Sequence, residues 1–457
     1  MRIASVSRSA GTAGHKRAAI IHCQSTTPSP RRSSSSRGVT GFSGALTRET
    51  KVKRYAALHK EAVIRRPTTP YERCWHTTQP KGMYKLVLVI TAAAARAECV
   101  VKKQTHAFYY LWYGTPTTDG KWLHWDHAVL PHWTKKVRAQ YKHLENYTHE
   151  PPTRLHAPFY PAAGPYSSSD PQLLDAHFSQ LRDAGVDAAV LSWTGRPGGA
   201  VSDTQGVGTD AIVPLAIAAA KRAGIGAAIH LEPYEGRGAE SVALDLAHLV
   251  THDLYRLPRR PCGGHKRLPV VYLYDAYHTP AKEWARLFCD DGDLSVRGTP
   301  HDVVVIATLL NRDEEALVED GCFDGFYSYF ATDGFTYGST SAHWKLLAAW
   351  ARKKNLWFSP SAGPGYNDTR IRPWNDIATR DRRNGAYFRQ MLGAAVESGA
   401  DLVSITSWNE WGEGTQIEPA RAPAGSDHMD YGENPDLYLD ITREATERWR
   451  SRSPPDL

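Results

Sequence analysis

Two glutamates near the end of the chain have the spacing and surroundings of a carboxylate pair that could act in catalysis. Glu410 and Glu413 lie within residues 404–419, which have the sequence SITSWNEWGEGTQIEP. Cleavage of a glycosidic bond uses one carboxyl group to protonate the leaving oxygen and a second to assist attack at the anomeric carbon or stabilise its charge. A solvated acidic loop could contain the same Glu-x-x-Glu pattern, although the flanking tryptophans and glycines favour a functional site here.

The residues just before this pair are typical of a β-strand. Residues 402–406 (LVSIT) are apolar or β-branched and show no helical period. Asn409, Gly412 and Gly414 then predict an irregular loop. The two carboxylates are therefore expected just beyond the carboxyl end of a strand.

Seven further apolar runs precede this strand and alternate with amphipathic stretches. The eight predicted strands are 106–113, 188–193, 226–234, 269–277, 303–310, 325–330, 356–366 and 402–408. The predicted helices are 171–185, 210–223, 240–256, 280–288, 313–320, 339–354 and 380–399. Eightfold alternation predicts an α/β fold, a single (βα)8 TIM barrel, with an open doubly wound sheet as the alternative.

Aromatic and polar residues accumulate where these strands would end, which is where a (βα)8 barrel builds its active site. Aromatic rings stack on the C–H faces of sugar rings, while fixed polar groups bind the hydroxyls, so this distribution indicates a sugar site. The residues concerned are Trp112, Tyr113, Trp193, His230, Glu232, Tyr234, Tyr274, Asp275, Tyr329, Tyr366, Asn409 and Glu410.

The connection after the first strand, residues 114–171, is unusually long and rich in Trp, His and Tyr. Loops of this length are usually functional or disordered, and the aromatic content favours an ordered one. A metal site formed by His124, Asp126, His127 and His132 is conceivable. No tight ligand spacing completes such a set, so histidines packed among tryptophans are the favoured interpretation.

Charge is divided unevenly along the chain. Residues 1–100 hold 18 Lys+Arg against 4 Asp+Glu, whereas the other 357 residues hold 37 against 44. Because the part expected to fold has no positive excess, the charge argues against a nucleic-acid-binding core, and we expect no nucleic-acid partner. Apolar residues make up 41% and charged residues 23%, as in ordinary soluble globular proteins.

The basic N-terminal segment, residues 1–97, is expected to lie outside the catalytic domain. Residues 1–82 are rich in Ser, Arg, Thr and Pro, which predicts a disordered extension that need not belong to the mature protein. Residues 83–97 have a basic start, an apolar run of about ten residues and a small-x-small cleavage site. They are typical of a secretory signal peptide or short signal anchor, with a buried strand as the alternative. The barrel would then occupy residues 98–457.

Two further features bear on the compartment. The acceptor sequons Asn146-Tyr147-Thr148 and Asn367-Asp368-Thr369 are compatible with a secretory route. The cysteines have no metal-binding spacing, and the last three could include one disulfide or could all be free. They lie at positions 23, 74, 99, 262, 289 and 322.

From about His106 to Arg450 the chain resembles glycoside hydrolase family 99, which comprises the endo-α-1,2-mannosidases of the Golgi and their bacterial relatives. Many ordered motifs carry the resemblance, and together they are highly specific. They are 108–114 (FYYLWYG), 124–133 (HWDHAVLPHW), 164–168 (GPYSS), 230–234 (HLEPY), 327–331 (YSYFA), 361–366 (SAGPGY), 372–375 (RPWN) and 404–419.

The resemblance implies a (βα)8 barrel without metal or other cofactor. It implies endo-cleavage of α-1,2-mannosidic bonds in high-mannose N-glycans or mannans with retained configuration, releasing glucosyl-mannose or mannosyl-mannose. It also implies that Glu413 is the general acid/base, whereas Glu410 takes the proton of the substrate 2-hydroxyl, which attacks the anomeric carbon. We therefore expect a raised pKa for Glu413 and an ionised Glu410.

The same resemblance supplies the candidate substrate-binding residues. They are Tyr113, Trp193, His230, Glu232, Tyr234, Tyr329, Arg372 and Asn409. The expected partner is a mannose-containing oligosaccharide or an N-glycoprotein, and the protein is expected to be a monomer.

Two departures from the family pattern leave the preferred sugar open. Animal members tend to carry His where this chain has Gly412, and an aromatic residue with prolines where it has Thr194-Gly195-Arg196. The second departure lies where the non-reducing sugar is expected. A non-catalytic glycan-binding barrel and a transglycosylase on the same scaffold are alternatives, and the presence of both Glu410 and Glu413 argues against the first.

Overall fold

A closed ring of parallel strands positions the site. The computed structural model describes residues 101–145, 147–199, 203–264 and 266–451. Its strands are β1 (Gln104–Tyr109), β2 (Ala188–Trp193), β3 (Gly226–Leu231), β4 (Arg256–Pro258), β5 (Arg267–Leu273), β6 (Val304–Thr308), β7 (Gly325–Tyr327), β8 (Trp357–Ser359), β9 (Ser361–Ala362) and β10 (Leu402–Ile405). Every pairing among them is parallel except that of β4, which forms an antiparallel hairpin with β5.

The ring closes through a strand that is interrupted by a proline. The strand order is β8-β7-β6-β5-β3-β2-β1-β10-β9. Pro360 separates β8, which pairs with β7, from β9, which pairs with β10. Proline has no N–H to donate, but its carbonyl accepts from the Ser404 amide at 3.0 Å. β8 and β9 are thus two parts of one barrel strand, and the predicted eight-stranded barrel is confirmed.

Helices surround the ring, and their bounds follow local capping signals. They are Pro116–Asp119, Lys135–Gln140, Pro171–Asp183, Val213–Ala223, Ala239–Leu249, Ala281–Phe288, Glu314–Asp320, Trp344–Lys354, Ala386–Glu397 and Leu437–Ser451. Short 3-10 turns occupy Lys142–Leu144, Ala276–His278, Ser341–His343, Asp376–Ala378 and Arg383–Gly385. The helix after the long loop, for example, begins where the Asp170 side chain accepts from two backbone amides and Pro171 takes the first helical position.

Several sequence-derived bounds differ from the structure, and one helix was missed. The helix predicted for 240–256 ends at Leu249, because the chain turns there and returns as the β4 hairpin strand. The helix Leu437–Ser451 was not predicted. It packs beside the first barrel helix, where its Thr446 hydroxyl donates to the Ala184 carbonyl at 3.2 Å.

Aromatic side chains fill the barrel interior. Phe108 of β1 lies at ring-centroid distances of 4.8 Å from His230 and 5.5 Å from both Tyr272 and Tyr327. Buried tyrosine hydroxyls bond neighbouring rings inside the barrel, as where the Tyr272 hydroxyl bonds His106 Nδ1 at 2.8 Å. Because Phe108 is fully buried at the centre of this packing, replacing it with Ala should cost about 3–5 kcal/mol.

A disulfide between two of the described cysteines crosslinks the outer ring. Cys289, just after one helix, bonds Cys322, just before β7, with a Cα–Cα distance of 5.1 Å. The sequence left this pairing open. Among the residues that the structure describes, no helix has the length and apolarity needed to cross a membrane. The extension predicted at 1–82, the signal segment predicted at 83–97 and the first sequon asparagine, Asn146, all lie outside those residues.

Candidate active site

The two candidate catalytic glutamates lie in a tight turn that follows β10 at the carboxyl end of the barrel. The Thr406–Ser407 peptide is cis, and the Trp408 amide donates to the Phe108 carbonyl at 2.7 Å. The turn closes on itself, because the Ser407 amide donates to the Thr415 carbonyl and the Ile417 amide to the Ser407 carbonyl, both at 2.9 Å. Glu410 and Glu413 therefore project from a backbone that is bonded at both ends.

Gly414 allows this turn to pack against the segment that precedes Arg372. Its φ is +61°, and a Cβ there would lie 2.9 Å from the Asn367 carbonyl oxygen and 3.0 Å from Cγ of Pro158. A side chain at this position would thus strain the backbone and clash with these two neighbouring atoms. The close approach lets the Asn367 amide donate to the Glu413 carbonyl at 2.8 Å.

Tyr113 and Asn409 support the turn from the side of β1. The Asn409 amide group donates to the Tyr110 carbonyl at 2.9 Å, and its oxygen accepts from the Tyr110 amide at 2.7 Å. The Tyr113 hydroxyl donates to the Asn409 carbonyl at 2.8 Å and accepts from the Trp411 amide at 3.2 Å. Both side chains are buried, so in this structure they hold the turn that carries Glu410 and Glu413 and offer little surface to a sugar.

A buried carboxylate below the turn fixes Trp411. Glu418 accepts from the Tyr166 hydroxyl at 2.7 Å and from the Trp411 indole at 3.0 Å, and it lies 3.2 Å from Nε2 of His177. Glu418 was inside the stretch that drew attention in the sequence, but no role was predicted for it. Its burial at 2% exposure and its full set of partners make it a supporting residue.

Burial determines the electrostatics of the glutamate pair. Glu410 is only 6% exposed, and the Glu413 side chain is 23% exposed. Burial, followed by the charge of Glu413, raises the pKa of Glu410 well above its ordinary value. Burial raises the pKa of Glu413 as well, but the positive charge of Arg372 opposes that rise. Both groups are thus affected, whereas a raised pKa was expected for Glu413 alone.

Arg372 connects Glu413 to a fully buried aspartate. Its Nη1 lies 3.2 Å from Glu413 Oε1 and 3.1 Å from Asp368 Oδ2. The same Asp368 oxygen accepts from the Tyr366 hydroxyl and the Asn375 amide group, each at 2.9 Å. Asp368 was missed by sequence reasoning, although its position four residues before Arg372 was an available signal. It orients the guanidinium toward the acid/base candidate.

A third carboxylate lies near the pair. The charge of Glu232 raises the pKa of both Glu410 and Glu413, which places all three groups in one electrostatic field. Glu232 accepts from the Ser192 hydroxyl at 2.9 Å and lies 3.0 Å from Nδ1 of His230. His230 is fully buried, and its Nε2 bonds the Tyr327 hydroxyl at 2.7 Å, so its ring is held in place beside Glu232.

Tyr329 has a backbone conformation that is unusual for a bulky residue. Its φ is +45°, and its hydroxyl bonds that of Tyr110. The His230 ring stacks on it at 5.6 Å. Local strain of this kind persists only where the surroundings enforce it, and it concentrates at functional sites. The charges of Glu413 and Glu410 both act on the Tyr329 hydroxyl, which therefore lies at the mouth.

Trp193 and Tyr234 were expected to face the glutamates, but neither does. The Trp193 ring is fully buried, donates to Asp210 at 2.7 Å and stacks on His248 outside the barrel. Side chains alternate along a strand, so Ser192 points inward to Glu232 and Trp193 outward. In this structure Trp193 thus has no face open to a sugar. Tyr234 is half-buried, and its hydroxyl donates to the buried Asp245.

The long loop after β1 packs its histidines as structural residues. His124 lies 2.8 Å from Asp203, and its ring stacks on Trp112 at 4.3 Å. His127 bonds the Thr204 hydroxyl at 3.2 Å, and His132 accepts from the Thr134 amide at 2.9 Å. Across residues 101–451, apart from the five positions not described, no three potential ligands converge on a metal position.

Comparison with known proteins assigns the family. A profile of glycosyl hydrolase family 99 matches residues 100–451. The chain belongs to glycosyl hydrolase family 99. It is 42% identical to the glycoprotein endo-alpha-1,2-mannosidase of Rattus norvegicus over 352 residues, 75% of this chain and 74% of that protein. It is 41% identical to the human glycoprotein endo-alpha-1,2-mannosidase-like protein over 357 residues, 76% of each chain.

A solved structure of the same family agrees with the fold. The GH99 endo-alpha-mannosidase from Bacteroides thetaiotaomicron matches with a TM-score of 0.66 and 36% identity, covering 77% of this chain and 98% of that one. The protein is therefore a family 99 glycoside hydrolase with a (βα)8 barrel. The mouth that carries Glu410, Glu413, Glu232 and Arg372 is the end at which barrels of this type place their active sites.

Proposed function

We propose that this family 99 hydrolase is a retaining endo-α-1,2-mannosidase that acts on high-mannose glycans or mannans. The observation that carries the proposal is the carboxylate pair Glu410 and Glu413 on one turn at the barrel mouth, with Arg372 3.2 Å from Glu413. Relatives that share about two fifths of the sequence over most of the chain are described as glycoprotein endo-alpha-1,2-mannosidases. Of the proposed substrate-binding set, Glu232, Tyr329 and Arg372 act electrostatically on or contact this pair, and Tyr113 and Asn409 bond the turn that carries it.

The proposed reaction proceeds in two balanced steps. In the first, ionised Glu410 takes the proton of the substrate 2-hydroxyl, O2 bonds to C1, and the C1–O bond to the next sugar breaks while protonated Glu413 donates its proton to the leaving oxygen. In the second, Glu413 takes a proton from water, the water oxygen bonds to C1, the C1–O2 bond opens and Glu410 returns its proton to O2. Two inversions at C1 give retention.

The buried environment of the pair suggests how substrate sets the starting protonation. Without a sugar, Glu410 retains a proton to higher pH than an ordinary glutamate, because it is the more buried group and repels Glu413. A substrate hydroxyl that donates to Glu410 favours its ionised form, and a leaving oxygen that accepts from Glu413 favours its protonated form. Binding would thus favour the ionised Glu410 and the protonated Glu413 that the first step requires.

The specificity between glucosyl-mannose and mannosyl-mannose depends on the loop after β2. Thr194, which replaces the aromatic residue of animal members, is buried and donates to the Val207 carbonyl at 3.0 Å. Arg196 is about one third exposed at the rim and pairs with Asp245 at 2.5 Å. We propose that this chain lacks an aromatic platform for a terminal glucose here and accepts mannose at least as well.

The test is digestion of a purified high-mannose glycan with and without a terminal glucose. We expect release of a fragment of two or more sugars, formed first as the α-anomer by NMR. Glu413→Gln and Glu410→Gln should each lose roughly 100- to 10,000-fold in kcat with an unchanged circular dichroism spectrum. A wild-type protein that releases no such fragment from either glycan would refute the proposal. Longer products formed only with added sugar acceptors would favour the transglycosylase alternative.

We also propose that the protein functions in the secretory pathway, in the Golgi or after secretion, as a monomer. The Cys289–Cys322 disulfide supports an oxidising compartment, because such bonds persist there and are rare in the cytosol. Subcellular fractionation with non-reducing peptide mapping tests the location, and light scattering after size exclusion tests the mass. Recovery of native protein with free Cys289 and Cys322 thiols would contradict the secretory location.

A further inference from the structure

Arg382 is a buried cation to which neither the sequence nor the reaction above gives a role. It is 7% exposed and lies beneath the turn that carries Glu410 and Glu413. No carboxylate of the described residues lies within 4.0 Å of its guanidinium, although the chain forms many Arg–carboxylate pairs elsewhere. Burying a charge without a counter-ion is costly, so its position requires another explanation.

Three aromatic rings enclose the guanidinium. Its central carbon lies 4.3 Å from the ring centroid of Phe159, 4.6 Å from Tyr438 and 5.1 Å from Tyr431. The negative faces of these rings compensate part of the lost hydration. They also leave Nε and Nη1 without hydrogen-bond partners. The surrounding rings thus leave one amino group of the guanidinium, Nη2, to make its hydrogen bonds.

The partner of Nη2 is the backbone of the catalytic turn. Nη2 of Arg382 donates to the Gly414 and Gln416 carbonyls, both at 2.8 Å. Gly414 is the residue directly after Glu413. A guanidinium nitrogen that donates to two carbonyls of alternate residues holds both peptide groups with their oxygens toward the charge.

Peptide planarity carries this constraint to the other side of the turn. In a trans peptide the N–H points opposite to the C=O, so fixing the two carbonyls also fixes the amides of Thr415 and Ile417. The Thr415 amide donates to the Glu410 carbonyl at 3.2 Å, and the Ile417 amide donates to the Ser407 carbonyl at 2.9 Å. These are the bonds that close the turn around Glu410 and Glu413.

We propose that Arg382 is a positioning residue for catalysis, which holds the turn closed so that Glu410 and Glu413 keep their working separation. It touches neither glutamate side chain. The inference rests on the catalytic roles proposed for these two residues, and it deepens that proposal by assigning what maintains their geometry. Small displacements of reacting groups are expensive, since about 1 Å can cost roughly 100-fold in rate.

The experiment compares Arg382→Met and Arg382→Lys with Arg383→Met as the matched control. Arg383 is exposed next along the chain, where it bonds Gln390 and lies over the Tyr387 ring. Kinetics are measured on whichever glycan the wild-type protein cleaves. We expect Arg382→Met to lose roughly 100-fold in kcat with KM changed less than threefold, and Arg382→Lys to recover part of the loss. Arg383→Met should behave as wild type.

The pH profile separates positioning from a purely structural role. A looser turn changes the distance between the two glutamates and hence their mutual repulsion. The separation between the acidic and basic limbs of the kcat–pH profile should therefore differ between the Arg382 variants and wild type. A uniform loss with an unchanged profile, matching the fraction unfolded by circular dichroism, would overturn the proposal. If Arg382→Met does not fold, wild-type kcat and pH profile in Arg382→Lys overturn it equally. Absence of any glycan cleavage by wild type would instead refute the proposed function.

Discussion

Gly412 stands between the two catalytic candidates, and its replacement by alanine tests how tightly the site is packed. A Cβ at this position would lie 3.0 Å from both Cδ2 and Nε2 of His156 and 3.3 Å from Oε1 of Glu410. The backbone itself tolerates alanine, since its φ is not in the left-handed region. His156 cannot easily move, because it is buried and packs against Tyr113, Trp125 and His127 at 5.9–6.3 Å between ring centroids.

Two opposing effects set the magnitude. Overpacking a rigid site costs about 1–3 kcal/mol, whereas Gly→Ala restricts the unfolded chain and contributes about 0.4–1 kcal/mol of stability. The net expectation for Gly412→Ala is a loss of about 0.5–2 kcal/mol. With an unfolding entropy of ~0.7 kcal/mol/K for a folded body of about 350 residues, Tm should fall by about 1–3 °C. Displacement of the Glu410 carboxylate by a few tenths of an ångström should lower kcat several-fold.

Scanning calorimetry and steady-state kinetics measure both effects, and Gly393→Ala is the matched control. Gly393 lies within the helix Ala386–Glu397, where a Cβ would meet nothing within 4 Å, so alanine there should stabilise the protein. His156→Ala should relieve the crowding, which predicts a coupling of at least about 0.5 kcal/mol in the double-mutant cycle. A Gly412→Ala protein with full kcat, unchanged Tm and no coupling to His156 would refute this account of the packing.

Three further predictions follow from the charges and the crosslink. Burial raises the pKa of Glu410 in the folded protein, so its ionisation destabilises the fold above the ordinary glutamate pKa of ~4.3. Glu410→Gln should therefore raise Tm more at pH 8 than at pH 4, and an equal gain at both would contradict the assigned burial. The Asp368 charge raises the pKa of Glu413, so in Asp368→Asn the basic limb of kcat/KM should move to lower pH; a shift to higher pH would show that Asp368 does not act through its charge. The Cys289–Cys322 bond spans 33 residues, and its loss in the Cys289→Ser/Cys322→Ser protein should cost about 4 kcal/mol or about 5 °C in Tm. A variant that melts with oxidised wild-type protein would contradict the entropy argument.

The barrel was predictable because strand and helix periods alternate clearly, but the ends of the strands were not. Aromatic residues such as Tyr113, Tyr234 and Tyr366 continue each apolar run past the last ladder bond. Apolar content cannot distinguish a strand from the packed loop that follows it, so the predicted strands were too long. The sequence does contain a signal for the break at Pro360, because proline cannot donate a hydrogen bond within a strand. The predicted strand 356–366 did not take that signal into account.

The candidate site was predictable in its position and less so in its details. The resemblance identified the motifs but not which way each side chain points. Strand parity would have placed Trp193 outside, since it pairs in register with Leu231 while inward Ser192 pairs with His230. Arg382 left no local signal, because its partners are backbone carbonyls some thirty residues away and three rings from separate segments. Such long-range contacts exist only once the chain is folded.

The attachment of the catalytic turn to β1 has a consequence for how such an enzyme could diversify. The bonds of Tyr113 and Asn409 tie Glu410 and Glu413 to one neighbouring segment, while the loop that contains Thr194 and Arg196 bonds mainly to itself and to Asp245. The candidate catalytic glutamates and the loop 194–196 thus lie on separate parts of the chain. Under the roles proposed above, substitutions at 194–196 should alter the choice of glycan more than the rate of bond cleavage, and a directed library confined to that loop is the natural starting point for altered substrate choice.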